Sequence, residues 1–295
     1  MKRISLLIIS LLVFASFVYA QGLLPSLGGQ RAATSAFSFL KINPSARAGG
    51  LGHAFVAAGG DASIVFWNPA GVIQLNRPAF SVSHLEWFTD IQYDYAAIAI
   101  PVSPTDAIAL SAGILHMKPM EITTEYLPYG SGEYFSFTDI FAAISYSKKM
   151  SDRFSFGVTG KYVQESYLDL TSSGLLLEIG TYYWTGYKDL RIGVSLLNFG
   201  SPVAPDGSYM KTDLDGNTYE ATYEEFSPPT SFQLGTAMTV YESNFINWLL
   251  AFQLNHPVDN AENYVFATEL TLLKSLNLRA GYDISQDVNP LSLGF

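Results

Sequence analysis

The run Phe154-Ser155-Phe156-Gly157-Val158-Thr159-Gly160-Lys161-Tyr162-Val163-Gln164-Glu165 decides the fold. Its even positions hold Phe154, Phe156, Val158, Gly160 and Tyr162, and its odd positions Ser155, Gly157, Thr159, Lys161, Val163 and Glu165. Side chains of a strand alternate between two faces, so one face here is greasy and the other small or polar. The period returns at 190–197, where Leu190, Ile192, Val194 and Leu196 oppose Arg191, Gly193, Ser195 and Leu197. It returns again at 246–255 around Trp248, Leu250, Phe252 and Leu254, and at 264–272 around Tyr264, Phe266, Thr268, Leu270 and Leu272. Read this way, the chain predicts strands near 79–88, 91–101, 106–116, 138–147, 154–165, 174–184, 190–199, 230–240, 245–255, 263–272 and 276–282, with another starting at 290.

Alternation alone would also suit a secreted all-β protein, so the connections arbitrate. Short links (Ser103 to Asp106, Lys148 to Arg153, Gly186 to Asp189, Tyr241 to Asn244, Leu273 to Ser275) alternate with longer ones at 117–137, 166–173, 200–229, 256–262 and 283–289. Tight turns at one end and long loops at the other are the signature of bacterial outer-membrane barrels. Strand spans near the ~9–11 residues that cross a bilayer agree, as do aromatics near strand ends: Trp87, Phe88, Tyr183, Trp184, Phe199, Tyr241 and Tyr282. Composition points the same way. Hydrophobic residues make up 48% of the 295 and charged ones only 14%, against about 25% in soluble globules, so apolar surface must go somewhere other than water. The prediction is an all-β, transmembrane antiparallel outer-membrane β-barrel with its greasy positions facing lipid and every backbone group paired around the wall. On that assignment a charge at outward Val158 opposes insertion and one at inward Thr159 is tolerated.

The ends of the chain read differently. Lys2 and Arg3, an apolar run from Ile4 to Val18, and Val18-Tyr19-Ala20 before Gln21 predict a cleaved signal peptide over 1–20. Residues 21–78 do not alternate and are rich in Gly and Ala. Asp61 is a candidate N-cap and Asn68-Pro69 a helix breaker. The bland reading is a small helical cap or linker; the sharper one is a hatch or plug folded into the lumen, with the barrel over 79–295.

The stretch Phe39-Leu40-Lys41-Ile42, Ala46-Arg47-Ala48, Gly50-Leu51-Gly52, Ala54-Phe55-Val56-Ala57, Asp61-Ala62 and Trp67-Asn68-Pro69-Ala70-Gly71, followed by Ser83-His84-Leu85-Glu86-Trp87, resembles the PorV/PorQ family of outer-membrane proteins, which belongs with the FadL-like transporters. The likeness continues through Tyr146-Ser147, Gly157, Gly160-Lys161, Gly180, Leu197-Asn198-Phe199-Gly200 and Arg279-Ala280-Gly281-Tyr282. It implies a 14-stranded barrel with an N-terminal luminal hatch, in which Arg47, Gly50, Gly52, Asp61, Trp67, Asn68, Pro69, Ala70 and Gly71 form a structural or gating element. It further implies type IX secretion, with outer-membrane lipid, secreted proteins bearing a C-terminal signal domain and other secretion components as partners. The six residues from Pro290 to Phe295 are too few for a spanning strand, so about 12 strands are expected here and the sequence is expected to be truncated at its C-terminus.

Other chemistry is not encoded. A net charge of -10 argues against nucleic acid, and no cysteine rules out disulfides and thiolate metal centres. His53, His84, His116 and His256 lack ligand spacing. Gly50-Leu51-Gly52 lacks the third glycine of a dinucleotide loop, and no Gly-x-Ser-x-Gly elbow is present. Asp213-Leu214-Asp215-Gly216-Asn217 copies part of a calcium loop without its later Glu. No cofactor, metal or enzymatic activity is expected. In the 200–229 loop Asp206, Asp213, Asp215, Glu220, Glu224 and Glu225 face only Lys211 among Tyr209, Tyr219 and Tyr223. Tyr209, Asp213, Asp215, Tyr219 and Tyr223 are therefore candidate partner contacts, together with the 117–137 loop. Two functions are carried forward: a secretion or surface-assembly component that binds exported protein through its loops, and FadL-like uptake of hydrophobic small molecules. Lumen-side Lys161, Glu165, Glu178, Arg191, Glu269 and Arg279 weigh toward a plugged scaffold, because uptake needs an apolar path.

Overall fold

The computed structural model describes residues 34–168, 170–213, 216–285 and 289–295. The expected signal peptide and residues 21–33 of the expected hatch lie outside them. One antiparallel sheet of 12 strands dominates. Its members are β1 (Ala79–Glu86), β2 (Ile91–Pro101), β3 (Asp106–Met117), β6 (Phe137–Lys149), β7 (Phe154–Tyr167), β8 (Leu170–Trp184), β9 (Arg191–Phe199), β12 (Ser231–Glu242), β13 (Ile246–Pro257), β14 (Asn263–Leu272), β15 (Leu276–Asp283) and β16 (Leu291–Gly294), each paired with the next in that order. Two small hairpins stand apart: β4 (Met120–Glu121) with β5 (Tyr134–Phe135), and β10 (Ser208–Thr212) with β11 (Thr218–Thr222).

The greasy and small faces set the register, since a one-residue slip would exchange them. In β7 the odd residues Ser155, Gly157, Thr159 and Lys161 are buried, while Phe154, Phe156 and Gly160 are exposed. In β6 the same parity buries Phe141, Ala143, Ser145 and Ser147 and exposes Ile144 and Tyr146. Exposed Phe80, Ile98, Leu110, Leu175, Leu250, Phe266 and Leu278 continue the outward apolar face around the sheet. Together these faces make the wall of an outer-membrane β-barrel, which crosses lipid with strands; no helix among the described residues is long and apolar enough to do so.

Residues 34–78 lie inside the curve. Phe66 meets Tyr95 of β2, Asn68 donates to the Thr181 carbonyl of β8, Arg47 pairs with Glu269 of β14, and Gly50 lies against Gly294 of β16. One short segment can touch strands from both margins of a sheet only if the sheet wraps around it. Phe37, Phe39, Phe55, Ile64, Phe66 and Val72 thus share one core with Tyr93, Tyr95, Phe141, Val163 and Leu176 of the wall.

Three expectations need correction. The link at 166–173 is no long loop, because β7 runs to Tyr167 and β8 starts at Leu170, with Glu165 opposite Ser172 and Tyr167 opposite Leu170. The loops at 117–137 and 200–229 are partly sheet, being built on the two small hairpins. Thr159 does face inward, but its hydroxyl is buried 2.7 Å from that of Ser145. A charge there would enter a packed core and not a watery lumen.

The wall generates the first prediction. Ile144, exposed at mid-strand, should lose about 2–4 kcal/mol on substitution to Arg, whereas Phe154→Arg at a strand end should lose about 0–1 kcal/mol. Urea titration of the heat-modifiable gel shift in bilayers measures both; equal losses would mean that Ile144 does not meet the hydrocarbon.

Candidate functional site

The site is the contact between the inner segment and the wall. Its local structure follows from three capping residues. Ser45 caps a single helical turn, α1 (Ala46–Gly50). The Asp61 carboxylate accepts from the Ser63 amide at 2.9 Å and starts the 3-10 turn Ala62–Phe66. Asn68 starts a second, Pro69–Gln74, with its Oδ1 accepting from the Ala70 amide at 3.0 Å and Pro69 in the first turn where no amide hydrogen is needed. Its Nδ2 donates to the carbonyls of Val56 (3.1 Å) and Thr181 (3.0 Å), tying two inner stretches to β8.

Arg47 is the chief polar pin. Its Nε and Nη2 grip Glu269 at 2.8 Å each, and Nη1 donates to the Gly59 carbonyl at 2.6 Å and to Asp61 at 2.9 Å. Arg279 Nε adds a second guanidinium to Glu269 at 2.7 Å. A fork-on-carboxylate pair with its remaining donors satisfied is the geometry in which a poorly solvated ion pair holds. Lys161 is buried with Glu178, to which it donates, and also donates to Asn198 Oδ1 at 3.0 Å while lying over the rings of Phe66 and Phe141. Neutral bonds complete the seat: Val56 donates to Gln253 at 2.9 Å, and the Tyr182 hydroxyl to the Ala57 carbonyl at 2.7 Å.

Close approach does the rest. A Cβ on Gly157 would strike the backbone of Pro69 and Ala70, one on Gly193 that of Val56, and one on Gly281 that of Leu51 and Gly52. These wall glycines all face inward, so inner-segment backbone rests directly on wall backbone. Gly52 is itself left-handed (φ +58) beneath Val265, which favours glycine there.

The motif residues are thus brought to one interface. Arg47 and Asp61 share an ion pair; Gly50 and Gly52 meet β16 and β15; Trp67 packs against Phe55 and Phe66. Ala70 O accepts from Ser147 and Ser155 at 3.3 and 3.1 Å, and Gly71 leaves room for Ile64. Tyr182 escaped the sequence reading; Gly157, Gly193 and Gln253 were legible there as positions of the small or polar face and Gly281 as part of the family likeness, but not as the seat of the inner segment. The loop candidates lie elsewhere. Tyr209 and Tyr223 stack at 5.1 Å beside the exposed β10–β11 hairpin, which also carries Tyr219. Asp213 closes its turn by accepting from the Asn217 amide at 2.8 Å, and Asp215 lies outside the described residues. No group of metal-holding residues occurs among those described.

At the long-loop end Asp259 of the β13–β14 loop, its side chain nearly sealed, accepts from Ser35 and from Lys41 at 2.6 Å. Burial pushes this carboxyl up, but Lys41 and Ser35 outweigh it and hold it below the ordinary range. Beside this latch a cavity of about 660 Å³ opens between the inner segment (Ile42, Pro44, Ala46, His53) and β1, touching inward Ser83 and Leu85 and outward Val82 and His84.

No protein-family model matches the sequence, and no curated protein matches it. Among solved structures the chain is similar to a FadL homologue of Pseudomonas aeruginosa, with 10% identity over 82% of this chain and 80% of that one and a TM-score of 0.50. It is also similar to the toluene transporter TbuX of Ralstonia pickettii, with 10% identity over 88% and 89% and a TM-score of 0.48. At such identity the likeness is one of fold.

The glycine contacts predict that Gly157→Val or Gly193→Val displaces the inner segment while leaving the wall folded. Conductance of the reconstituted barrel should rise and trypsin should reach Arg47; a folded variant with neither change would remove the glycines from the seat. The latch predicts a pH effect. A carboxyl whose folded pKa is depressed stabilises above its unfolded value, near ~3.9, and loses that contribution as pH falls through the lower folded value. Protection of the amides of residues 36–42 from hydrogen exchange, taken relative to the intrinsic rate at each pH, should therefore fall below about pH 4 in the wild type, and in Asp259→Asn should be low and flat across that range.

Proposed function

We propose that the chain is a plugged outer-membrane channel for hydrophobic small molecules, of the FadL-like kind, with residues 34–78 as the hatch. The cavity of about 660 Å³ between hatch and β1 carries the reading. It falls in the size range of small-molecule sites, and is bounded on one side by the segment that would have to move and on the other by β1, a margin strand whose outer edge has no partner among the described residues. The lumen charges do not oppose it. Lys161 is matched by Glu178, and Arg47 and Arg279 share Glu269; these groups are spent on holding the hatch and do not line the cavity.

A second reading has its own observation. The long-loop hairpins expose Tyr126, Tyr129 and Tyr134 beside Glu121, Glu125 and Glu133, and Tyr209 and Tyr219 beside Glu220. Exposed aromatics on a charged rim suit protein recognition. This supports a PorV/PorQ-like secretion role, with exported proteins as partners, as an alternative use of the same barrel.

Entry of the lipophilic fluorophore N-phenylnaphthylamine into cells distinguishes the two. Cells making the full chain should take it up several-fold faster than cells without it, and Ser83→Trp, which fills the cavity, should abolish the gain. Equal entry in all three would remove the uptake reading. Co-purification of secreted proteins sharing one C-terminal domain would then favour the second.

A further inference from the structure

At the short-turn end a smaller polar cavity of about 180 Å³ separates hatch from wall, lined by Arg47, Gly60 and Gln74 on one side and Arg191, Asn247 and Glu269 on the other. Two arginines face it and only one is satisfied. Arg47 spends its donors on Glu269, Gly59 and Asp61. The Arg191 guanidinium makes no hydrogen bond among the described residues; its sole ionic contact is Nη1 at 4.0 Å from Asp189, and its Nε is sealed and unpartnered. Of the nearby carboxylates, Glu269 is shared by two guanidiniums and Asp61 by Arg47 and Ser63, while Asp189 accepts from the Thr239 amide at 2.7 Å through Oδ1 and turns Oδ2 toward Arg191 at 4.0 Å, beyond hydrogen-bond reach. On the hatch side the Gln74 amide nitrogen is buried without a hydrogen bond of good geometry and turns toward the Tyr182 hydroxyl, which itself donates to Ala57.

We infer that this cavity is a binding site for a small oxyanion, a carboxylate or a phosphate, held between the Arg191 guanidinium of the wall and the Gln74 amide of the hatch. A guanidinium edge offers two parallel N–H groups that match two oxygens of one carboxylate or phosphate, and a buried guanidinium donor without an acceptor is costly. The space exceeds one water, whose share of the liquid is about 30 Å³, and suits an anion with a few waters. A second cavity of about 520 Å³, lined by Ile73, Pro104, Trp184 and the Lys149–Asp152 pair (3.7 Å), also includes Gln74 and Arg191. It gives access from the short-turn end and room for a tail. Because the ligand would touch both bodies, its binding tightens the hatch in its seat. The binding claim is independent of what passes through the channel.

Isothermal titration of the folded full chain in detergent tests this, with sodium phosphate, acetate and octanoate added at constant ionic strength against chloride. Saturable binding of phosphate or acetate is expected, about ten-fold or more weaker in Arg191→Gln, intermediate in Arg191→Lys, which keeps the charge but loses the fork, and unchanged in Lys188→Gln on the exposed turn. Tighter binding of octanoate would identify the oxyanion as the head of an amphiphile reaching into the larger cavity, and preference for phosphate or acetate would identify a free ion. Should Arg191→Gln fail to give a heat-modifiable band, Gln74→Leu replaces it, with several-fold weaker binding expected. No saturable binding in the wild type, or wild-type affinity in a folded Arg191→Gln or Gln74→Leu, would overturn the proposal. Slower trypsin cleavage at Arg47 on addition of the anion is the accompanying sign that hatch and wall are bridged.

Discussion

A wall that stands in hydrocarbon must satisfy its own backbone, and this requirement governs how anything can be held inside it. Each strand between the two margins of the sheet spends its amide and carbonyl groups on two neighbours, and β1 and β16 pair along one edge each. Between those margins the inner segment therefore cannot join the wall as another strand. It is held by inward side chains and by contact, with Gln253, Tyr182, Glu269 and Lys161 reaching in as the principal polar groups. The Thr181 carbonyl that receives Asn68 is an exception the rule allows, because a carbonyl has two lone pairs and the ladder uses one.

The same constraint explains the glycines. Helical and 3-10 turns within a lumen are broad, and an inner segment that must touch the wall on several sides needs positions where wall side chains vanish. Gly157, Gly193 and Gly281 remove the only atoms standing between two backbones. Glycine is a poor strand residue, costing packing and chain entropy. Those losses fall on strands that are already locked by two neighbours each, where the ladder tolerates them best.

How much of this was legible depended on whether a residue's partner was local. Strands of the wall declared themselves because alternation is a neighbour-to-neighbour property: Phe156 and Val158 against Gly157 and Thr159 is visible within four residues. The continuation of β7 and β8 through Ser166, Thr171, Ser172 and Ser173 was hidden, because beyond the bilayer both faces meet water and the pattern disappears. The β10–β11 hairpin was hidden for the same reason, as all five residues of β10 are exposed. In the site, Asp61 and Asn68 could be read as caps because a cap acts on the next two residues. The pairing of Arg47 with Glu269 could not, since 222 positions separate them and only the curvature of the wall brings them together. Glu269 was recognisable as a lumen charge, but its partner was not.

The grip on the hatch is uneven, and the unevenness locates the part that can yield. From Arg47 through Gln74 the segment is held by a forked ion pair, by Asn68 and Tyr182, and by backbone resting on glycine, contacts that would have to break together. Cooperative opening of such a set is slow because no single loss frees it. Between Lys41 and Ala46 the hold is slighter. It consists of the Asp259 latch at one end and, at the other, buried Ser45, which caps α1 and accepts from the Ser63 hydroxyl at 3.2 Å, with the cavity against β1 alongside. A residue flanked by cavity gives up few packing contacts when it moves, so displacement of half-buried Ile42 and Asn43 is opposed far less than displacement of Asn68. On the uptake reading proposed above, a molecule entering beside β1 would meet the compliant part of the segment first, while the pinned half would keep the short-turn end closed. Motion confined to 41–46 would enlarge the existing cavity without opening a water-filled pore, which is what separates admission of an apolar molecule from a leak.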